Sequence, residues 1–150
     1  MSEWPRTLLT IGIILIIILV LSNVLTLFTP KPTIEVVNAK LDPETININQ
    51  VATLEITIKS NDKSKSHFLR IEFESHSLVS FLIGDQYLPR DQGRWYFTDN
   101  VNPSATITQP FYVRATLESG IAQLQYQIVV NFYCDGNQFD SKTFVLTVRR

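Results

Sequence analysis

Val51-Ala52-Thr53-Leu54-Glu55-Ile56-Thr57-Ile58-Lys59 alternates apolar and polar side chains. Leu54, Ile56 and Ile58 fall on one face, and Glu55, Thr57 and Lys59 on the other. This period of two marks a strand buried on one side and wet on the other. The pattern returns in Leu69, Ile71 and Phe73, in Phe111, Val113 and Ala115, and in Phe144, Leu146 and Val148. Its longest row is Leu124, Tyr126, Ile128, Val130 and Phe132. Two further strands are expected at Ile34 to Ala39 and at Val79 to Ile83. The connectors carry turn chemistry: Leu41-Asp42-Pro43, Ser60-Asn61-Asp62-Lys63, Asn102-Pro103-Ser104, Ser119-Gly120 and Asp135-Gly136-Asn137. No window after residue 33 shows a helical apolar stripe. About seven short strands predict an all-β antiparallel β-sandwich over residues 34–150.

The first thirty residues obey another rule. No charged residue occurs between Arg6 and Lys31, and 16 of the 21 residues from Leu8 to Phe28 are Leu, Ile, Val or Phe. A helix of that length spans about 31 Å, the thickness of a bilayer's hydrocarbon core. The sequence therefore predicts a short tail at 1–7, a transmembrane helix at 8–28 and a Pro-containing linker at 29–33. A cleaved signal peptide would have a shorter apolar run and a small-x-small exit, whereas this run leaves through Leu25-Thr26-Leu27-Phe28-Thr29-Pro30. The basic residues flanking the run are nearly balanced, so orientation rests on the tiny tail and the β-rich remainder. A signal-anchor with its C-terminal domain outside the cytoplasm is expected. Gly12, Ser22 and Asn23 are the candidate helix contacts within a membrane assembly.

Ile34-Glu35-Val36 followed by Gln50-Val51-Ala52-Thr53-Leu54-Glu55-Ile56-Thr57-Ile58 resembles bacterial and archaeal immunoglobulin-like adhesion domains. In those families an x-G/Q-x-x-x-L-x-I-x-I strand follows a turn containing Pro or Asn. Leu117-Glu118-Ser119-Gly120, leading to Tyr126-Gln127-Ile128-Val129-Val130, looks like their penultimate strand. With one helix in front, the layout is similar to archaeal cell-envelope proteins, including the soluble domains of archaellum stator proteins. The resemblance implies an immunoglobulin-like sandwich, although the antibody-type cysteine pair and strand-C tryptophan are absent.

Catalytic chemistry finds little to work with. The 13 basic and 14 acidic residues nearly cancel, which argues against nucleic-acid binding. The single cysteine, Cys134, excludes an internal disulfide. It is either a small buried hydrophobe at a strand end or an exposed thiol open to intermolecular pairing. A copper site would need a His or Met just after it, and none follows. His67 and His76 are nine apart, on opposite faces if one strand holds both. Glu72 and Glu74 lie two apart, about 7 Å in a strand, and with Arg70 read as an exposed charge ladder. No phosphate loop or nucleophile–base grouping can be assembled. Neither enzyme activity, a copper or zinc site, a cofactor nor a small-molecule substrate is therefore expected.

Tyr87-Leu88-Pro89-Arg90-Asp91-Gln92-Gly93-Arg94-Trp95-Tyr96-Phe97 packs four aromatics and two arginines around a turn. Tyr, Trp and Arg are the residue types enriched at interface hot spots. Trp95 and Phe97 share a parity that can point inward, leaving Arg94 and Tyr96 outside. Tyr87, Arg90, Arg94, Trp95 and Tyr96 are the candidate partner-binding residues. Asn61 to Ser66 reads as a solvated hairpin tip. The expected protein is a non-catalytic, single-pass membrane protein of the cell membrane, an accessory or structural subunit of a membrane or envelope assembly. The alternatives are an archaellum stator-type anchor binding the surface layer, and a redox or metal-binding subunit of a respiratory-type complex.

Overall fold

Leu54, Ile56 and Ile58 are buried, as the alternation requires, on the inner face of one of two packed sheets. The computed structural model describes residues 32–150, which form one compact unit. The tail, the apolar run 8–28 with Gly12, Ser22 and Asn23, and the linker up to Lys31 lie outside the described residues. Among the described residues, no helix is long and apolar enough to cross a membrane.

Among the described residues eleven strands follow in order: β1 (Ile34–Asp42), β2 (Thr45–Asn47), β3 (Val51–Ser60), β4 (His67–Glu74), β5 (Val79–Ile83), β6 (Gln86–Tyr87), β7 (Arg90–Asp91), β8 (Arg94–Val101), β9 (Thr106–Ala115), β10 (Gln123–Cys134) and β11 (Asn137–Arg149). The first sheet runs β1-β3-β9-β5-β6 and the second β2-β11-β10-β4-β8-β7. Every pairing is antiparallel except that of β2 with β11. The chain changes sheets at the cis Asp42-Pro43 bond, so the first extended segment serves both.

The strands expected from alternation are all present, and four more join them: β2, β6, β7 and β8. The first three are too short to show a period. In β8 the inward row Trp95, Phe97 and the buried Val101 is broken by the exposed Asp99, and Thr98 and Asn100 beside it are polar and exposed too. One connector is corrected outright. Asn61 to Ser66 is not a hairpin tip, because β3 and β4 belong to different sheets and the segment crosses between them.

The core lies where the inner faces meet. Phe73, Phe81, Phe111 and Phe132 are completely buried. Phe73 touches Phe81 at 4.8 Å and Phe111 at 4.9 Å between ring centroids, and Phe97 reaches Phe111 at 5.4 Å. Each such pair adds about 0.5–1.5 kcal/mol beyond its buried area. Leu124 keeps the inward parity of its row yet stays 38% exposed, although its partner Val148 is completely buried. One turn further in, the buried Tyr126 donates its hydroxyl to the Thr116 carbonyl at 2.6 Å, tying the start of β10 to the end of β9.

Candidate functional site

Cys134, Asp135, Gly136 and Asn137 form the tip of the β10–β11 hairpin. Cys134 pairs with Asn137, and Asp135 and Gly136 have φ of 49° and 85°. A two-residue loop with both φ values positive matches the strand twist, and Asp-Gly is a favoured pair for it. The tip is held on β4. Leu69 pairs with Cys134, the Asp135 amide donates to the Phe68 carbonyl at 2.9 Å, and the Phe68 amide donates to Asp135 Oδ1 at 2.9 Å. The other oxygen, Oδ2, lies 2.7 Å from His67 Nδ1.

The far side of the ring meets Asp62 from the β3–β4 crossover, with Nε2 2.9 Å from Oδ2. Asp62 Oδ1 is fixed by the amides of Ser64 and Lys65 and by the Ser64 hydroxyl. His67 is 6% exposed. Its two carboxylate partners raise its pKa above the ordinary imidazole value, Asp135 first and then Asp62, against an opposing effect of burial. Asp135 is held below the ordinary carboxylate range by the His67 ring and the Phe68 amide. Asp62 is lowered further, by the Ser64 amide ahead of His67. The Cys134 thiol is raised by burial, then by the neighbouring Asp135 charge. Cys134 keeps the inward parity read from the sequence, but at the mouth of the sandwich it is only half-buried. His67, Cys134 and Asp135, with Thr33, Ile34, Asn137 and Phe139, line an open cleft of about 290 Å³.

His76 takes no part. It lies beyond the end of β4, its ring 5.5 Å from that of Tyr126. The two histidines therefore never meet. What the sequence did not disclose is that His67 meets Cys134 and Asp135, since the β4–β10 register alone joins positions so far apart.

The aromatic and arginine-rich stretch divides into two places. Tyr87 stacks on Trp95 at 6.3 Å with planes 28° apart, and the Arg90 guanidinium carbon lies 4.8 Å from the centre of the Trp95 ring. Trp95 reaches the core edge-on at Phe81, 6.4 Å away. Gln92 and Gly93, both with positive φ, make the tight turn that brings Arg90 opposite Trp95. Tyr87 is the more exposed member, at 59%.

Arg94 and Tyr96 project from the outer face of the second sheet. Arg94 Nε lies 3.0 Å from Glu74 and its Nη1 3.5 Å from Glu72, while Arg70 contacts Glu72 at 2.8 Å and stacks over the Tyr96 ring at 4.5 Å. The charge ladder exists, but it is not simply solvated. The Glu72 side chain is 12% exposed, covered by β8 on one side and β10 on the other.

No protein-family model matches the chain, and no curated protein matches it. Among solved structures it is similar to the Pseudomonas fluorescens alkylpurine DNA glycosylase AlkC bound to DNA containing an abasic site analog. That likeness has 13% identity and a TM-score of 0.46, over 79% of this chain and 31% of that one. It is also similar to the full-length major pilin SpaD of Corynebacterium diphtheriae, with 14% identity and a TM-score of 0.44, over 77% and 34%. AvmM, which catalyses macrocyclization in alchivemycin A biosynthesis, aligns at 7% identity and a TM-score of 0.39, over 75% and 89%. The chain spans about a third of the first two. At these scores the likenesses carry no functional argument.

Proposed function

We propose that this chain is a non-catalytic accessory subunit, anchored through residues 8–28 and presenting an immunoglobulin-like sandwich outside the cytoplasm for contact with other membrane or envelope proteins. The charge gap from Thr7 to Pro30 supports the anchor. Three features of the described domain support the finer fold reading. One extended segment is shared between sheets, β2 lies parallel to β11, and Tyr126 bonds back to Thr116 as the tyrosine of an immunoglobulin-type corner does. One feature departs from that plan. β5 joins the first sheet before β8 joins the second, the reverse of the usual chain order of the corresponding strands.

The observation that carries the contact role is the Tyr87–Trp95–Arg90 stack, an exposed aromatic plate backed by the core and capped by a cation. Rigid aromatics lose little entropy on binding, and Tyr, Trp and Arg are the types enriched at hot spots. Arg94 and Tyr96 belong to this reading less directly, since both already have partners within the chain.

Purification from native membranes in mild detergent should recover the chain with a partner. The pair Tyr87→Ala and Arg90→Ala should weaken that association at least about tenfold while the domain stays folded. A clean monomer, or a double variant that binds normally, would sink the proposal. Retention on isolated cell envelopes would point to the surface layer; co-migration with a membrane complex would point to a subunit role there.

A further inference from the structure

We propose that His67, Cys134 and Asp135 bind a borderline divalent transition-metal ion of the zinc type. One donor atom from each lies within 4.8 Å of the others. An imidazole nitrogen, a thiolate and a carboxylate oxygen form a mixed set that suits zinc and its neighbours and disfavours magnesium or calcium. In a tetrahedral site with bonds of about 2.0–2.3 Å, neighbouring donors stand roughly 3.3–3.6 Å apart. His67 Nδ1 and Asp135 Oδ2 are 2.7 Å apart and Cys134 Sγ and Asp135 Oδ2 are 3.9 Å apart, on either side of that spacing, and all three donors lie within 4.8 Å of one another.

The surrounding groups make this more than a chance meeting. Asp62 takes the far ring nitrogen of His67, which turns Nδ1 toward the other two donors. A carboxylate in that position fixes tautomer and ring orientation behind a ligating histidine. The Phe68 amide occupies Asp135 Oδ1 and leaves Oδ2 for the ion. Both aspartates are thus anchored by backbone amides, and the ring between them is buried. Thiolate, carboxylate and neutral imidazole together balance a dication, with the protons they carried released to solvent. Three protein ligands leave a fourth position for water or another ligand, and the open cleft has room for it.

The full chain in mild detergent, stripped with a chelator and titrated with Co²⁺, tests the site. About one equivalent should bind, with thiolate-to-cobalt charge-transfer and tetrahedral d–d absorption that Zn²⁺ abolishes and excess Mg²⁺ does not. Cys134→Ser should lose the charge-transfer band, and His67→Gln should lose tight binding. Asp62→Asn, which touches no ion, should weaken affinity about tenfold or more. Absence of stoichiometric binding, or bands unchanged in both ligand variants, overturns the proposal. Should a variant misfold by circular dichroism, the unmodified chain still decides: Zn²⁺ must slow alkylation of Cys134, and equal rates with and without Zn²⁺ overturn the site.

Discussion

Glu72 bears the electrostatics of the second sheet's outer face. Its carboxylate meets Arg70 on one side and Arg94 on the other, while Glu74 is 37% exposed and shares Arg94 with it. Removing this sheltered carboxylate leaves Arg94 to Glu74 alone and Arg70 to the more distant Asp91, 3.7 Å away. Glu72→Ala should therefore cost about 1–3 kcal/mol in denaturant unfolding, and Glu74→Ala less than about 1 kcal/mol. Equal costs would mean the network contributes through packing alone. Parity in the sequence correctly set Arg70, Glu72 and Glu74 on one face. It could not show that Arg94 covers them, because strand pairing is not written in any local period. His67 and Cys134 make the same point more sharply. Each sits at the end of its own strand, and only the Leu69–Cys134 register brings them to one corner.

Strands with strong alternation were legible as elements: β3, β4, β9, β10 and β11 bury the faces the sequence assigned to them, Leu124 of β10 excepted. Those without a period of their own are held by neighbours rather than by their own pattern. β8 pairs along seven residues of β4 although half of it is polar, and β2 needs only three residues against β11. Tyr126 ties two elements by a single bond. Tyr126→Phe keeps the ring and leaves the Thr116 carbonyl without its donor. The expected cost is about 1–2 kcal/mol, seen in calorimetry as a midpoint a few degrees lower with the fold unchanged. An unaltered midpoint would show that water takes over the carbonyl.

For the domain as a whole, the parallel pairing of Thr45–Asn47 with Thr147–Arg149 joins its two ends. The same last strand supplies Leu146 and Val148 to the core, both completely buried. A chain ending at Phe144 should therefore lose cooperative unfolding altogether rather than fray locally, which a thermal melt followed by circular dichroism would reveal. The sequence made the two-layer plan readable through its inward rows; the closing clasp was hidden in a three-residue segment. That clasp also sets a schedule. Roughly 100 residues separate its halves, so at about 5–20 residues per second β2 waits some 5–20 s after its own synthesis for its partner. Until residue 149 has been made, β2 lacks its strand partner and the core lacks Leu146 and Val148, and a nascent chain stalled short of it is a candidate for aggregation or proteolysis rather than a smaller working domain.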